Sequence, residues 1–375
     1  MTFRKKTTGQ LLSLATALVT VACCSSPPQF PAQGTVAGYE FTGPVDSEMA
    51  RDYLAGTLPV DLKLLRRGLI SSPWVLSSAE LEVLAKRYSP DVATLLWVES
   101  IAGQPANAAV RRLYERELDR LRALSPSKPV APVGSEGVCV LLVPGWFYLS
   151  HGSETGADLE LQRTILRTMG VENHRVALDE NGTVEENAEK VANAIRKYSK
   201  RFPHLILVSA SKSSAEVALA LGRLLPSKER KNVKAWLSVG GVLRGSPLAD
   251  RVLEPDLVWL GWLKFRLQGF GLQGLRSMRT DLRRTVFGKL SFADHILLLS
   301  YIAVPLSGNI SSRGSFGYAC MREYGPNDGL TLLADEVFPG GLVLLEPSVD
   351  HFFEQGRRAF QTAALFSTVL SLMKK

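Results

Sequence analysis

Cysteine is scarce in this chain: 375 residues hold four, and two of them sit side by side near the start, at Cys23 and Cys24. No C-x-x-C spacing occurs, which removes the usual sequence sign of a metal site or a dense disulfide framework. Cys139 and Cys320 remain as lone residues, and whether they pair stays open. Charge of one sign is also lacking. The formal net charge is +8, and loss of Arg4, Lys5 and Lys6 with a cleaved leader leaves +5. With no dense Lys/Arg patch interleaved with aromatics, nucleic acid is excluded as the expected partner. No internal repeat is visible, and no apolar run approaches the roughly 20 residues of a membrane-spanning helix. What is present is a chain 46% hydrophobic and 21% charged, suited to one large folded core with a smaller attached unit.

The first residues, "MTFRKKTTGQLLSLATALVTVACCSS", read as an export leader: a basic start, then about a dozen apolar residues from Leu11 to Ala22. The stretch resembles a bacterial lipoprotein signal, in which the cysteine after a small residue becomes the lipid-modified N-terminus. That resemblance implies a signal over 1–23, with Cys23 the lipidated residue; Cys24, with Cys23 before it, fits less well. Cleavage without lipid attachment and an uncleaved anchor are the alternatives. All three put the folded part outside the cytoplasm, in the cell envelope or secreted.

Three stretches follow. Residues 24–44 are rich in Pro, Ser, Gly and Gln and predict a flexible tether. Residues 45–124 carry apolar residues at three- and four-residue spacing, as in "SSAELEVLAKRYSPDVATLLWVES", and predict a helical region with Ser77 or Ser78 as a cap. Residues 125–137, "SPSKPVAPVGSEG", read as a linker because proline disfavours both helix and sheet. From 138 to 375 the rhythm changes. The apolar runs "VCVLLVP", "HRVAL", "HLILVSA", "VKAWLSVGG" and "GLVLLEP" alternate with helical patterns, predicting an α/β fold with a mainly parallel sheet flanked by helices.

Such a sheet binds ligands at the carboxyl ends of its strands. The first strand ends in Pro144-Gly145-Trp146, a tight turn whose backbone N–H groups are suited to an oxyanion. "HLILVSASKSS" ends in Ser209, Ser211, Ser213 and Ser214, which offer a nucleophile, a polar turn or a phosphate cradle. Among five histidines, His351 follows the last clear strand. His151 lies in the loop after the first, His174 and His204 begin strands, and His295 sits in a stretch read as helical.

These features resemble the α/β-hydrolase superfamily, and most closely its lipase- and esterase-like serine hydrolases. In that family the nucleophile occupies a sharp strand-to-helix turn, usually G-x-S-x-G. Ser209-Ala210-Ser211-Lys212-Ser213 keeps the pattern with serine at both glycine positions, so the resemblance implies Ser211 as nucleophile. "LSVGGVLRGSPLAD" matches the family's next strand end through Arg244-Gly245-Ser246-Pro247. "PNDGLTLLADE" resembles the family's acid loop and implies Asp328, with Asp335 and Asp350 as rivals. The chain order Ser211, Asp328, His351 is the family's own. The backbone N–H groups of Trp146 and Lys212 then form the oxyanion hole, and the Lys212 side chain faces either solvent or an acidic substrate group. The resemblance implies cleavage of a carboxylic ester through an acyl-enzyme, with neither cofactor nor metal. A non-catalytic binding domain and an acyltransferase using the same three residues are the other readings. A helical cap is expected over 251–300, where Trp259, Trp262 and Phe265 alternate with Lys264 and Arg266. It is suited to contact with anionic lipid or simply to packing on the catalytic domain.

Overall fold

The computed structural model describes residues 29–58, 60–70, 75–124, 135–353 and 358–374. The leader with Cys23 and most of the 125–137 linker lie outside the described residues. The elements, in chain order, begin with strands β1 (Phe30–Val36) and β2 (Tyr39–Val45) and helices α1 (Glu48–Leu54), α2 (Val60–Ile70), α3 (Ser78–Arg87), α4 (Pro90–Ala102) and α5 (Pro105–Leu124). They continue with β3 (Val138–Val143), α6 (Glu160–Thr168), β4 (Glu172–Arg175), α7 (Val184–Ser199), β5 (His204–Ala210), α8 (Ser213–Leu219) and β6 (Val233–Val239). Helices α9 (Pro247–Val252), α10 (Val258–Leu267) and α11 (Thr280–Phe287) precede β7 (Leu297–Val304), α12 (Ser315–Met321), β8 (Leu342–Pro347) and α13 (Arg358–Met373).

Six strands form one parallel sheet in the order β4-β3-β5-β6-β7-β8. Because side chains alternate along a strand, each strand feeds two cores. Val140, Leu142, Ile206, Leu237 and Tyr301 pack under α5, α6 and α13. Leu141, Val143, Leu207 and Trp236 face α7 and α8. Both faces are covered, so the strands read as nearly unbroken apolar runs.

β7 is a correction to the sequence reading. Its "LLLSYIAV" lies partly inside the expected 251–300 cap, and His295 stands in the turn before it rather than in a helix. A short, continuously apolar run has no alternation to distinguish strand from buried helix. The expected 24–44 tether is corrected as well, since from Phe30 onward it is an antiparallel hairpin. Ala37 and Gly38, both with positive φ, make its two-residue turn, the geometry that matches strand twist.

The N-terminal region shares the sheet's core. α4 is buried from Asp91 to Ile101 and packs with Phe41, Ile302, Val304, Val343 and Leu345. α5 crosses to the opposite face and meets α13. The region therefore wraps the β8 edge, where Asn107 of α5 accepts the Val343 N–H at 2.9 Å. An edge strand left open would invite pairing with another chain. Ser77 caps α3 in a reciprocal box with Glu80.

A buried carboxylate pair fastens this wrap. Asp91, at the start of α4, accepts from the Asp46 N–H (2.7 Å), the Ser307 N–H (2.8 Å) and the Ser307 hydroxyl (2.7 Å), and Asp46 accepts in return from the Asp91 N–H (3.2 Å). Burial first, and then the neighbouring Asp46 charge, push Asp91 up to about 7. Burial likewise raises Asp46, so the two titrate as a unit. A carboxyl whose folded pKa exceeds its unfolded value takes up a proton on folding; its contribution is complete at low pH and is lost as pH rises toward about 7. The melting temperature of the wild type is therefore expected to fall as pH rises from about 4 to about 7, and Asp46→Asn should flatten that slope. Equal slopes in scanning calorimetry would contradict the pairing.

Candidate active site

From β3 the chain passes outward to β4 and then back across to β5, so the carboxyl ends of β3 and β5 border the crevice where the strand order reverses. Ser211 stands on the β5 side, between strand and helix, with φ +56°. That left-handed backbone is uncommon for a residue with a side chain and costs on the order of 1–3 kcal/mol. Hydrogen bonds from two directions hold it. The Ser211 N–H donates to the Val239 carbonyl (3.0 Å), and its own carbonyl accepts from Val242 (3.1 Å) and Ser214 (3.0 Å).

The four serines are not equivalent. Ser209, Ser213 and Ser214 are buried, whereas Ser211 is partly exposed and lines the cavity. The Ser209 hydroxyl accepts from the Trp236 indole (2.8 Å) and meets Ser214 (2.8 Å), to which Ser238 also donates (2.9 Å). Ser213 accepts from the Ala210 N–H (3.0 Å) and reaches the Val143 carbonyl of β3 (2.8 Å). Serine at the two glycine positions thus adds hydrogen bonds that glycine lacks.

Across the crevice, Gly145 donates to Ala157 (2.8 Å), and a Cβ on it would come within 3.3 Å of the Ala210 carbonyl. The Phe147 N–H is bound to the Glu180 carbonyl (3.2 Å), whereas the Trp146 and Lys212 amides have no backbone partner among the described residues. The Trp146 ring stacks on Phe147 at 4.7 Å and touches Phe265 of α10 at 5.6 Å, tying this turn to the cap. Glu180 clamps the loop beyond through the Leu149 and Ser150 amides. The Lys212 side chain faces neither solvent nor an acidic substrate group, a correction to both expectations. It is buried in an ion pair with Glu216, one helical turn on, which Asn187 also contacts at 3.0 Å.

Asp328 and His351 meet. Asp328 is fully buried; one carboxylate oxygen accepts from the Leu330 (2.9 Å) and Thr331 (2.8 Å) amides, and the other lies 2.5 Å from His351 Nδ1. The Asp328 carbonyl also accepts the His351 N–H at 2.9 Å. Gly240, at φ +53°, lets the imidazole lie close: a Cβ there would stand 3.3 Å from His351 Cε1. The rival acids are engaged elsewhere. Asp335 pairs with Arg284 (2.9 Å) and Ser78 (3.1 Å), while Asp350 accepts from the Ser311 (2.8 Å) and Phe352 (3.1 Å) amides. Of the other histidines, His174 pairs with Glu172 at 2.8 Å, and His151 lies at the cavity mouth beside Gln268.

One nearby residue escaped the sequence reading. Glu336 is completely buried, and its carboxyl is pushed well above the usual range by burial first and then by Asp328 and Asp335. The same burial disfavours a second negative charge beside Asp328. The only sequence signal is its adjacency to Asp335. Cys139, in β3, carries a thiol raised to about 12, chiefly by burial, and it forms no disulfide with Cys320. Among the described residues, no group of three His, Cys, Asp or Glu side chains is arranged to hold a metal ion.

Ser211 and His351 share the wall of one cavity of about 910 Å³, most of it apolar. Its polar groups are few: a serine in a strained turn, an imidazole oriented by a buried carboxylate, and amides at two loop ends. That set is suited to nucleophilic attack with proton transfer.

Among solved structures, the chain is similar to a metagenomic carboxyl esterase, with a TM-score of 0.54 and 18% identity over 72% of this chain and 94% of that one. It is also similar to the mature form of a Bacillus licheniformis lipase, with a TM-score of 0.50 and 20% identity over 66% of this chain and 96% of that one. No protein-family model matches the sequence, and no curated protein matches it in sequence. At these identities the likeness is one of fold, and the fold is that of the α/β-hydrolases.

Burial opposes the charged form of His351, but the charge and hydrogen bond of Asp328 outweigh it and hold the imidazole above its ordinary value. NMR titration of the five histidines should show His351 titrating above the usual 6.5 or so, and Asp328→Asn should bring it down. An unchanged midpoint in the variant would contradict the pairing.

Proposed function

We propose that this chain is a serine hydrolase of carboxylic esters, with Ser211 as nucleophile, His351 as base and Asp328 as the acid that orients it. The observation that supports this most strongly is the strained, cavity-facing Ser211 in the same site as the Asp328–His351 pair. The esterase and lipase titles of the similar structures agree with it.

In the reaction, Ser211 Oγ attacks the ester carbonyl and its proton passes to His351 Nε2. Asp328, bound to Nδ1, fixes the tautomer and stabilises the imidazolium. The carbonyl oxygen gains negative charge and accepts from the Trp146 and Lys212 amides. Collapse breaks the ester C–O bond, and His351 returns the proton to the departing alcohol. Water, deprotonated by His351, then attacks the acyl-enzyme and frees the acid and Ser211. Absent elbow glycines are what favours a non-catalytic domain, and the hydrogen bonds of Ser209 and Ser213 supply a structural reason for serine there. Acyl transfer to an alcohol in place of water requires the same residues.

We also propose that the cap meets a lipid surface. One side of α10 lines the cavity through Leu260, Lys264, Phe265 and Leu267; the other exposes Trp259 (58%) and Trp262 (53%) beside the exposed cation Arg266. A helix apolar on both sides with one side in water is suited to an anionic membrane interface. Export on the leader and lipid attachment at Cys23 would put it there, and that part rests on sequence alone.

A fluorophosphonate should form a covalent adduct on the wild type and none on Ser211→Ala, whose ester turnover should drop by at least about 10³-fold. Asp328→Asn should lose activity by a comparable factor and Asp335→Asn far less. Full activity in Asp328→Asn, or an adduct surviving in Ser211→Ala, would refute the assignment, and ester products formed with added alcohols would favour acyl transfer. In sedimentation with phosphatidylglycerol vesicles, the Trp259→Ala/Trp262→Ala double variant should bind several-fold more weakly than wild type. Equal binding would exclude α10 as the contact.

A further inference from the structure

The Trp146 and Lys212 amides belong to separate turns, one after β3 and one after β5, and a single oxyanion accepts from both only if the turns keep a fixed separation. A buried chain of polar side chains joins them. The Lys212 ammonium lies outside the cavity lining and pairs with one carboxylate oxygen of Glu216 in α8, to which Asn187 of α7 also donates at 3.0 Å. Lys212, Glu216 and Asn187 are each only 1% exposed. The second Glu216 oxygen is buried with no hydrogen-bond partner among the described residues, so Lys212 and Asn187 are what offsets the carboxylate's desolvation.

On its other side Asn187 is fastened to the loop between β4 and α7. Its Nδ2 donates to the Asp179 carbonyl (2.8 Å) and its Oδ1 accepts from the Asp179 N–H (3.0 Å). The residues after Asp179 hold the turn that carries the Trp146 amide. The Glu180 carbonyl accepts the Phe147 N–H at 3.2 Å, and Asn181 Oδ1 accepts from the Trp146 indole at 3.2 Å. Ser213 also ties the β5 turn to Val143, but that bond reaches β3 itself and not the turn beyond Pro144. Apolar packing would fill the space under the two turns without fixing direction, whereas hydrogen bonds set both distance and angle.

We propose that Asn187 is a positioning residue for the oxyanion hole: bound to Glu216 and Lys212 on one side and to Asp179 on the other, it sets the separation of the Lys212 and Trp146 amides. The proposal rests on the ester-hydrolase reading and adds the device that aligns its two donors. Asn187 lines no part of the cavity and acts only through the turns. Deleting one oxyanion donor costs about 10²–10³-fold in kcat, and misplacing one costs part of that.

The test measures kcat and KM for p-nitrophenyl butanoate, and inhibition by a trifluoromethyl ketone. Ser211 Oγ bonds to the ketone carbonyl carbon, its proton passes to His351, and the carbonyl oxygen becomes an oxyanion in the hole. Asn187→Asp, which replaces the donor by a second carboxylate, should lower kcat by about tenfold to a hundredfold with KM changed by less than about threefold. Ketone affinity should fall by the same factor as kcat/KM. Adding Glu216→Gln restores one carboxylate, one ammonium and a hydrogen bond of reversed direction, and should bring kcat back to within about threefold of wild type. Loss of melting temperature with kcat and ketone affinity unchanged overturns the proposal, as does a double variant no better than Asn187→Asp. If Asn187→Asp fails to fold, Lys212→Met/Glu216→Gln, which removes both buried charges together, is judged by the same split between kcat and KM. A second measurement does not depend on turnover. In protein with isotope-labelled tryptophan, Glu216→Gln should shift the backbone amide resonance of Trp146 across the crevice and leave that of Trp97 in α4 in place. An unmoved Trp146 amide overturns the proposal even where esters are cleaved. A shifted Trp146 amide in a protein with neither ester turnover nor fluorophosphonate adduct keeps the link between the turns and removes the hydrolase reading.

Discussion

The turn at Ser211 is the constraint on which the rest depends. A side-chain-bearing residue at φ +56° is unfavourable by itself and persists only where its surroundings over-determine it. Here the surroundings come from the two strands that flank β5. Val239 at the end of β6 accepts the Ser211 N–H, Val143 of β3 accepts from Ser213, and Trp236 of β6 holds Ser209. The buried hydroxyls of Ser209, Ser214 and Ser238 link strand to helix beneath the turn. The sheet therefore has to be correctly registered before the serine can project into the crevice, and once it is, the serine has little freedom to do otherwise.

The same sheet sets the other half of the site. His351 follows β8, and its ring lies over Gly240 at the end of β6, so β5 and β8, three places apart, bring serine and imidazole to one wall. β8 is an edge strand. The N-terminal wrap closes that edge through Asn107, and the Asp46–Asp91 pair fastens the wrap to Ser307 beyond β7. A region that contributes no side chain to the cavity wall thus supports the strand that leads to His351. The charged groups nearby are kept in balance. Burial disfavours charge on Glu336 beside Asp328, Lys212 and Glu216 pair with each other beneath Ser211, and Asp328 and then Asp350 favour the charged imidazole.

Much of this is legible in the sequence, and what is not has identifiable causes. The strand-helix alternation from Val138 onward and the order Ser211, Asp328, His351 are local or ordinal features, visible without coordinates. β7 is hidden because eight mostly apolar residues lack a period, and the first hairpin because Pro, Gly and Gln obscure its alternation. The roles of Ser209 and Ser213 depend on partners from other strands, and their spacing alone reads only as absent glycine. The Lys212–Glu216 pair has the spacing of an ordinary surface ion pair, and nothing in the sequence says that it is buried. Glu336 and the cavity beside Ser211 belong to packing between elements far apart in the chain.

These observations support the proposal that Ser211 Oγ is the nucleophile around which the amides and the imidazole are arranged. A crystal structure of the protein after reaction with a dodecyl fluorophosphonate tests that claim most directly. The phosphorus should be bonded to Ser211 Oγ, and the phosphoryl oxygen should accept from the Trp146 and Lys212 amides. An unmodified Ser211, with phosphorus on another residue or none bound, would contradict it.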